Sequence, residues 1–455
     1  MDSEKRAKRQ SLRIIITEAI MVVSVILMVA ILALLVSGYW LNSDFEVERQ
    51  GMLQISSVPT GASVAVDGDA PWYQRTNTSK VLSSGEHAIT LTRDGYDTWS
   101  KTINIREGLL YRIHYPRLFL NERTPEAVYD LSTVIFSTVS PDRTKLLTLT
   151  SSFEWSLVDL AADKVTAKPL QLASVVPQSS TILSADWDLS GSHILMKIDR
   201  GGATEWILID VNTPASSINL THEFAATDFA DVEIMDHSAT TLLVTRSGNL
   251  HKINVPARQI SAILVKNIQS YDHLGNEIVY SALSSSTSGY EVGTFDIGNP
   301  NPKVLLNVPA SSEVLLSRFY DDKYLTLVTG SSVTTYKKDD LTEVFADQLS
   351  FVPQKSKVGH SGEFITMLRD SSVATLDMES LAVREWSLDS QTYNWLDNDM
   401  LYAIKDGILV VYDFDGLNRR ELATGVSTKT PVAITNDRWL YYGANDALIR
   451  EVIAQ

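Results

Sequence analysis

The feature that most constrains the fold is a β unit that keeps returning after Asn121: an apolar strand, a turn rich in Ser, Asp and Gly, a second apolar strand, and a third that often ends in Asp. One copy runs through Ser140-Pro141-Asp142-Arg143-Thr144-Lys145-Leu146-Leu147 to Trp155-Ser156-Leu157-Val158-Asp159. The next has Asp186-Trp187-Asp188-Leu189-Ser190-Gly191 followed by Trp206-Ile207-Leu208-Ile209-Asp210. Weaker copies turn at Asp236-His237-Ser238, His273-Leu274-Gly275-Asn276, Tyr320-Asp321-Asp322, His360-Ser361-Gly362, Asp397-Asn398-Asp399 and Asn436-Asp437-Arg438. The turns fall about 36 to 49 residues apart, the period of a four-stranded propeller blade. Blades packed radially bury both sheet faces and leave only short edges, so the pattern predicts a ring of seven or eight. The last unit, Val432 to Gln455, has room for two or three strands; its missing strand is expected from the segment between Tyr111 and Leu131.

Before the repeats, residues 51–118 show shorter alternating segments: Leu53-Gln54-Ile55, Val64-Ala65-Val66, Ala88-Ile89-Thr90-Leu91 and Ile103-Asn104-Ile105. Apolar residues two apart share one strand face, and Pro59-Thr60-Gly61, Asp67-Gly68, Ser84-Gly85 and Asp94-Gly95 supply the turns. A small β-sandwich follows.

The N-terminus reads differently. Ala19 to Leu41 is apolar and uncharged, and about 20 such residues in a helix cross roughly 30 Å of hydrocarbon. Lys5, Arg6, Lys8, Arg9 and Arg13 precede it, which predicts that this end stays in the cytoplasm. Tyr39 and Trp40 suit the membrane interface. The alternative is a cleaved signal peptide, with Val36-Ser37-Gly38 as the cleavage pattern, but the apolar core exceeds the roughly 7–15 residues of such peptides. Five basic and three acidic residues lie before or at the edge of the run, so 34 bases and 52 acids remain beyond it, a balance near −18. That charge repels polyanions, which excludes nucleic acid as an expected partner. With no cysteine, the chain has no disulfide, thiol nucleophile or Cys-based metal site.

Two stretches carry family resemblances. Ser57-Val58-Pro59-Thr60-Gly61-Ala62-Ser63-Val64-Ala65-Val66-Asp67-Gly68, then Leu82-Ser83-Ser84-Gly85-Glu86-His87, then Asp94-Gly95-Tyr96-Asp97-Thr98-Trp99, resemble the PEGA domain, with its S-x-P-x-G-A-x-V-x-V-D-G, L-x-x-G-x-H and G-Y elements in that order. The sequence departs from that family at Asp69-Ala70-Pro71-Trp72, where Gly-x-Thr-Pro is usual. The resemblance implies an accessory module of bacterial or archaeal surface proteins and no catalytic residues. The Ser140-Pro141-Asp142-Arg143-Thr144-Lys145-Leu146 and Asp188-Leu189-Ser190-Gly191 turns, together with Asp413-Phe414-Asp415-Gly416-Leu417-Asn418-Arg419-Arg420-Glu421-Leu422, resemble TolB/WD40-like β-propeller repeats.

The chain is therefore expected to be mainly β: a basic tail at 1–13, a single transmembrane helix at 14–41, a linker at 42–50, a PEGA-like β-sandwich at 51–118 and a seven- or eight-bladed propeller at 119–455. Motifs for catalysis are absent: no G-x-S-x-G elbow, H-E-x-x-H helix or phosphate-binding GxxxxGK[ST] loop occurs. Asp413-x-Asp415-Gly416 begins like a calcium loop, but Leu417 stands where a third oxygen ligand is needed. No metal, cofactor or catalytic residue is assigned. His193, His237, His273 and His360 sit at or beside blade turns, which favours a turn-stabilising role. Trp72, Tyr73 and Trp99 are the candidate binding residues, because an aromatic plane can stack on a sugar; packing is the competing role for each.

The expected function is that of a non-enzymatic, membrane-anchored envelope protein whose propeller binds envelope proteins or cell-wall polysaccharide. A sensory ectodomain acting through a membrane partner, or a lyase or hydrolase using the propeller channel, are the alternatives. An intact mass that includes residues before Tyr39, measured on protein isolated from membranes, is the expected outcome. A mass corresponding to a start near Tyr39 overturns the uncleaved anchor.

Overall fold

The computed structural model describes residues 17, 18, 20–29, 32, 39–41 and 47–455, apart from 236–238, 286–287, 310–312, 320–321, 360–361, 389, 391–392 and 398. At 39–41, 47–49 and 300 it describes the backbone alone. Much of the expected spanning segment, at 14–16, 19, 30, 31 and 33–38, lies outside the described residues. Those described between 17 and 32 are helical. Among the described residues no helix is long and apolar enough to cross a membrane. The expected helix is corrected at its far end: Tyr39–Leu41 is a strand, with Tyr39 opposite Arg49 and Leu41 opposite Val47. Tyr and Trp favour extended backbone, and the strand at 47–55 gives them a pairing partner. The linker expected at 42–50 gives way in the same place, since the strand Val47–Ile55 starts inside it.

The chain divides into two compact units, Met1–Leu118 and Phe119–Gln455. In the first, Val47–Ile55 pairs antiparallel with Thr78–Ser83 and parallel with Leu110–Ile113, while Ser63–Val66, Gly85–Thr92 and Trp99–Ile105 form a second sheet. Buried and open residues alternate along Gly85–Thr92, so His87, Ile89 and Leu91 face inward. They meet Leu53, Ile55, Val64, Val66, Ile103 and Ile105 in the core. Asp67-Gly68 makes the tight hairpin expected of it, with both residues at positive φ and Val66 and Asp69 exchanging backbone hydrogen bonds. The same Asp67 accepts hydrogen bonds from the Ala88 N–H at 2.8 Å and pairs with His87 Nδ1 at 2.7 Å. Two of the sequence motifs thus hold each other, and the His87 bond depresses the Asp67 pKa.

The second unit consists, among the described residues, of eight four-stranded antiparallel sheets. Blade 1 runs from Val134–Val139 to Thr166–Leu170, blade 2 from Thr181–Trp187 to Ile218–Asn219, blade 3 from Phe229–Ile234 to Gln259–Ile260, and blade 4 from Ile268–Leu274 to Asn299–Val308. Blade 5 runs from Val314–Phe319 to Glu343–Gln348, blade 6 from Lys355–Val358 to Ala382–Ser387, and blade 7 from Tyr393–Trp395 to Arg420–Thr424. Blade 8 has Ala433–Thr435, Trp439–Ala444 and Ala447–Val452, and its outermost strand is Glu126–Asp130 from the start of the unit. The missing strand thus comes from the segment expected to supply it.

First strands are innermost. Ser270 Oγ of blade 4 donates to the Val314 carbonyl of blade 5 at 2.8 Å, and Ser317 and Ser356 of blades 5 and 6 share a 2.9 Å hydrogen bond. Middle strands such as Phe364–Arg369 and Ile408–Asp413 are buried on both faces, whereas the outermost Glu343–Gln348 and Ala382–Ser387 are largely open. Each consecutive pair of blades shares one apolar core. Leu147 and Leu149 meet Ile194 and Ile207 between blades 1 and 2, and the series closes where Leu146 and Val158 meet Tyr441 and Leu448 between blades 8 and 1. At the interface of blades 6 and 7, Gly416 has φ +78°, and a Cβ there would run into the Trp386 indole.

Charged locks flank the closure. Arg450 donates to Glu126 Oε2 and to the Asp163 carbonyl, each at 2.7 Å, and lies over the Trp439 ring. Arg123 reaches Glu451 at 3.1 Å and the Leu422 carbonyl at 2.7 Å, while Tyr442 Oη donates to Glu451. Glu451 is buried, so removing its cation strands a charge. Arg123→Met is expected to cost about 3–5 kcal/mol in chemical denaturation. The double variant Arg123→Met/Glu451→Met should recover most of that loss; an equal loss in both shows that the pair is not the lock.

Candidate functional site: the propeller channel

Of the three candidate aromatics, the structure brings two together. Trp72 and Tyr73 are 84% and 69% exposed after the Asp67-Gly68 hairpin, and their rings meet edge to face with centroids 5.8 Å apart. Trp99 is elsewhere, fully buried in the core of the module against Tyr115 at 6.1 Å, and offers no ring face to solvent. Among the turn histidines, His193 accompanies a turn organised by Asp188, whose carboxylate accepts from the Ser192 and His193 N–H groups at 2.8 Å. His237 and His360 lie outside the described residues. In the Asp413 loop, Gly416 N–H donates to the Asp413 carbonyl and Asn418 Nδ2 to the Asp413 carboxylate at 2.8 Å, the bonding of a closed turn. No group of side chains suited to hold a metal occurs among the described residues.

Strand register exposes a site that the sequence patterns hid. The residue of each first strand that lies opposite the third residue of its second strand is Thr138, Asp186, Glu233, Asp272, Ser317, Lys357, Asn394 and Ala433, in blade order. These eight occupy one layer of the channel wall. Three consecutive blades, 2 to 4, place carboxylates there, and Asp231, two residues before Glu233, extends the same strand side. Blade 6, opposite blade 2 in a ring of eight, places Lys357, with Lys355 two residues before it. Asp186 and Lys357 feel each other's charge across the channel.

Next to the carboxylates is a hollow of about 750 Å³ at the ends of the first strands, lined by Asp186, Asp231, Glu233 and His273 and flanked by the exposed Leu189 and Leu274. Asp186 and Asp231 keep water contact, yet the enclosing wall removes much of the bulk solvent. Enclosure raises the pKa values of Asp186, Asp231 and Asp272, with Glu233 adding to each; a hydrogen bond from the Arg318 N–H at 3.0 Å partly opposes the rise at Asp272. For His273, enclosure works downward but is outweighed by Glu233, 3.3 Å away, and the net shift is upward. Burial beside Glu233 and Asp231 holds the Tyr271 hydroxyl protonated.

A second hollow, of about 670 Å³, lies against blades 4 to 7 and contains Lys355, Lys357, Gln354, Ser356, Tyr393 and Asn394. Enclosure lowers the pKa of Lys357, Arg143 adds to the effect, and Asp186 opposes it. Behind the wall, between blades 4 and 5, Arg318 and Lys338 pair with Glu277 and Asp322. Those cations are satisfied where they stand; Lys355 and Lys357 have no ion-pair partner within 4 Å among the described residues. The signal was present in the sequence, as Glu233, Asp272 and Lys357 interrupt strands otherwise rich in apolar and hydroxyl residues. Nothing local distinguished them from turn-flanking charges.

The sign of these shifts predicts a pH dependence. A carboxyl with a raised pKa binds its proton more tightly when folded, so its contribution is lost as pH rises from about the ordinary value of 3.8 through the folded one. His273, raised above 6.5, contributes fully below that value and loses its contribution as pH rises through the folded one. Asp142 and Asp188 are lowered by their turn hydrogen bonds, against the opposing effect of burial, and lose stability only on acidification. The melting temperature is therefore expected to peak in mild acid and to fall towards pH 8. Asp231→Asn should raise it at pH 7.5 and flatten the fall; no change in the profile shows that the channel acids do not control it.

Comparison with known proteins places residues 50–117 as a PEGA domain. No curated protein matches the chain. Among solved structures, the chain is similar to the C-terminal WD40 domain of Sif2, at 12% identity and a TM-score of 0.49 over 73% of this chain and 98% of that one. It is also similar to Kluyveromyces lactis Hsv2, at 8% identity and a TM-score of 0.43 over 64% and 98% of the two chains. The computationally designed protein Ika8 gives 11% identity and a TM-score of 0.43 over 72% and 98%. The number and closure of the blades rest on the pairing and the cores described above.

Proposed function

We propose that this chain is a non-enzymatic, membrane-anchored envelope protein whose propeller is a binding platform for envelope proteins or cell-wall polysaccharide. The anchoring rests on one observation: the helical residues Ile20 to Val29 present Ile20, Met21, Val22, Val23, Ile26, Leu27, Met28 and Val29 to solvent on every side. A helix that is apolar all round needs an apolar surrounding, and the basic tail before it favours a cytoplasmic N-terminus. The platform reading rests on the ring, whose channel wall fixes charged and polar side chains on paired strands rather than on loops. The PEGA domain at 50–117 suits a spacer between anchor and ring.

A second reading, a lyase or hydrolase working in the channel, is favoured by the raised pKa values of Asp231, Asp272 and His273 around one hollow, the arrangement that acid–base chemistry uses. It ranks second because ion-pair networks shift pKa values in the same way.

The test uses the full chain with a C-terminal tag in native cells. The tag is expected to be digested by protease added to intact cells stripped of wall, with the N-terminus protected and the protein in the membrane fraction. A photo-crosslinker at Leu189, beside the channel hollow, should capture a defined envelope component, whereas one at Val352 on the loop before blade 6 should not. Recovery in the soluble fraction, or protection of the tag, overturns the anchored topology; equal labelling from both positions overturns the platform.

A further inference from the structure

We infer that the hollow against blades 4 to 7 is a binding site for a small anionic polyol, a sugar-like body carrying one carboxylate or phosphate. The inference begins with charge. The chain has a net charge of −16, yet among the described residues this hollow is lined by two lysines and no carboxylate. Lys355 and Lys357 share one side of a two-residue strand repeat, so their ammonium groups are presented together on the channel wall.

Lys357 keeps water contact but loses part of its hydration in the hollow, and Asp186 across the channel offsets that loss only in part, which is why it holds its proton less tightly than a free lysine. Arg318 and Lys338, behind the wall between blades 4 and 5, are matched by Glu277 and Asp322. The lysine pair is thus the local charge imbalance that a ligand anion would correct. Enclosure strengthens that attraction relative to the protein surface.

The rest of the lining matches hydroxyl-rich chemistry. Asn394 Oδ1 already accepts from the Trp395 N–H at 2.9 Å, which leaves its NH2 group as a donor. Ser356 and Gln354 add donors and acceptors, and the half-buried Tyr393 adds an aromatic ring of the kind sugars stack on. At about 670 Å³ the hollow is of the size that holds a mono- or disaccharide-sized ligand. Opposite it, Asp186, Asp231 and Glu233 repel anions, which confines a negative ligand to the lysine side. That repulsion and the overall charge oppose a long polyanion, so the site selects a compact one.

The experiment uses purified full-length protein in detergent micelles, with glucuronate and glucose 6-phosphate as probes, glucose as the uncharged control and inorganic phosphate as the bare anion. Calorimetry is expected to give at least roughly tenfold tighter binding of one or both anionic sugars than of glucose or phosphate, a difference of about 1.4 kcal/mol. Preference between the two probes tells carboxylate from phosphate. Lys355→Met/Lys357→Met should remove that advantage, while Lys303→Met, on the outermost strand of blade 4, should keep it. Wild-type protein supplies a readout independent of the variant's folding: the preferred sugar should slow acylation of Lys355 and Lys357 by acetic anhydride and leave Lys303 unaffected. Absence of binding by both anionic sugars, equal binding of glucose, or unprotected lysines overturns the site; equal binding of inorganic phosphate overturns its polyol character. The result bears on this hollow alone and leaves the anchored-platform reading to its own test.

Discussion

Burial of both faces of every blade is the constraint on which the rest depends. A single four-stranded sheet of this composition would expose one whole apolar face, and the middle strands, such as Met400–Lys405 and Ile408–Asp413, are apolar on both. Only a neighbour on each side satisfies them. Each fully buried Leu, Ile or Val contributes about 1.5–3 kcal/mol relative to exposure, so a blade left without a partner forfeits many times the margin by which domains are stable. An open stack would leave two such faces at its ends. The ring has none, because the core formed by Leu146, Val158, Tyr441 and Leu448 joins the last blade to the first.

That closure explains the handling of polar groups near the seam. Glu126–Asp130 pairs with the C-terminal strand Ala447–Val452, so the two ends of the unit lie in one sheet, and Leu120 N–H bonds the Ile453 carbonyl beside it. Arg123 and Glu451 then match charge for charge inside the seam, while Arg450 reaches Glu126 at its open edge. Buried ion pairs contribute little net stability, but they penalise misregistered closure, since any slip leaves a buried charge alone. Register matters for the channel as well. Moving an inner strand by one residue would turn Asp231 and Glu233, or Lys355 and Lys357, away from the channel.

Channel chemistry follows from a geometric by-product of the ring. Inner strands cannot pack against one another across the axis, so their side chains remain beside water enclosed by protein. Carboxylates gathered on blades 2 to 4 and lysines on blade 6 experience each other at longer range than surface charges do: the attraction between Asp186 and Lys357 opposes the shift that enclosure imposes on each. A wall polarised in this way presents different chemistry to ligands approaching from different sides. The module formed by residues 50–117 exposes the edge-to-face pair of Trp72 and Tyr73.

Much of this architecture was legible in the residues. Two-residue alternation marked the strands of the small module, the recurring turns marked the blades, and Asp67-Gly68 fixed a hairpin, because each depends on contacts between near neighbours. The short last unit even announced a strand borrowed from upstream. Tyr39–Leu41 was misread as helix because its partner, Val47–Ile55, supplies the pairing from beyond the apolar run. Trp72, Tyr73 and Trp99 looked alike in sequence, yet one is fully buried and two are exposed, since burial depends on what the second sheet covers. Sequence alone determined the β character and the repeat, which are matters of local period and turn chemistry. Tertiary structure alone decided that there are eight blades and which of many charges face one channel, because those depend on closure and register between strands tens to hundreds of residues apart.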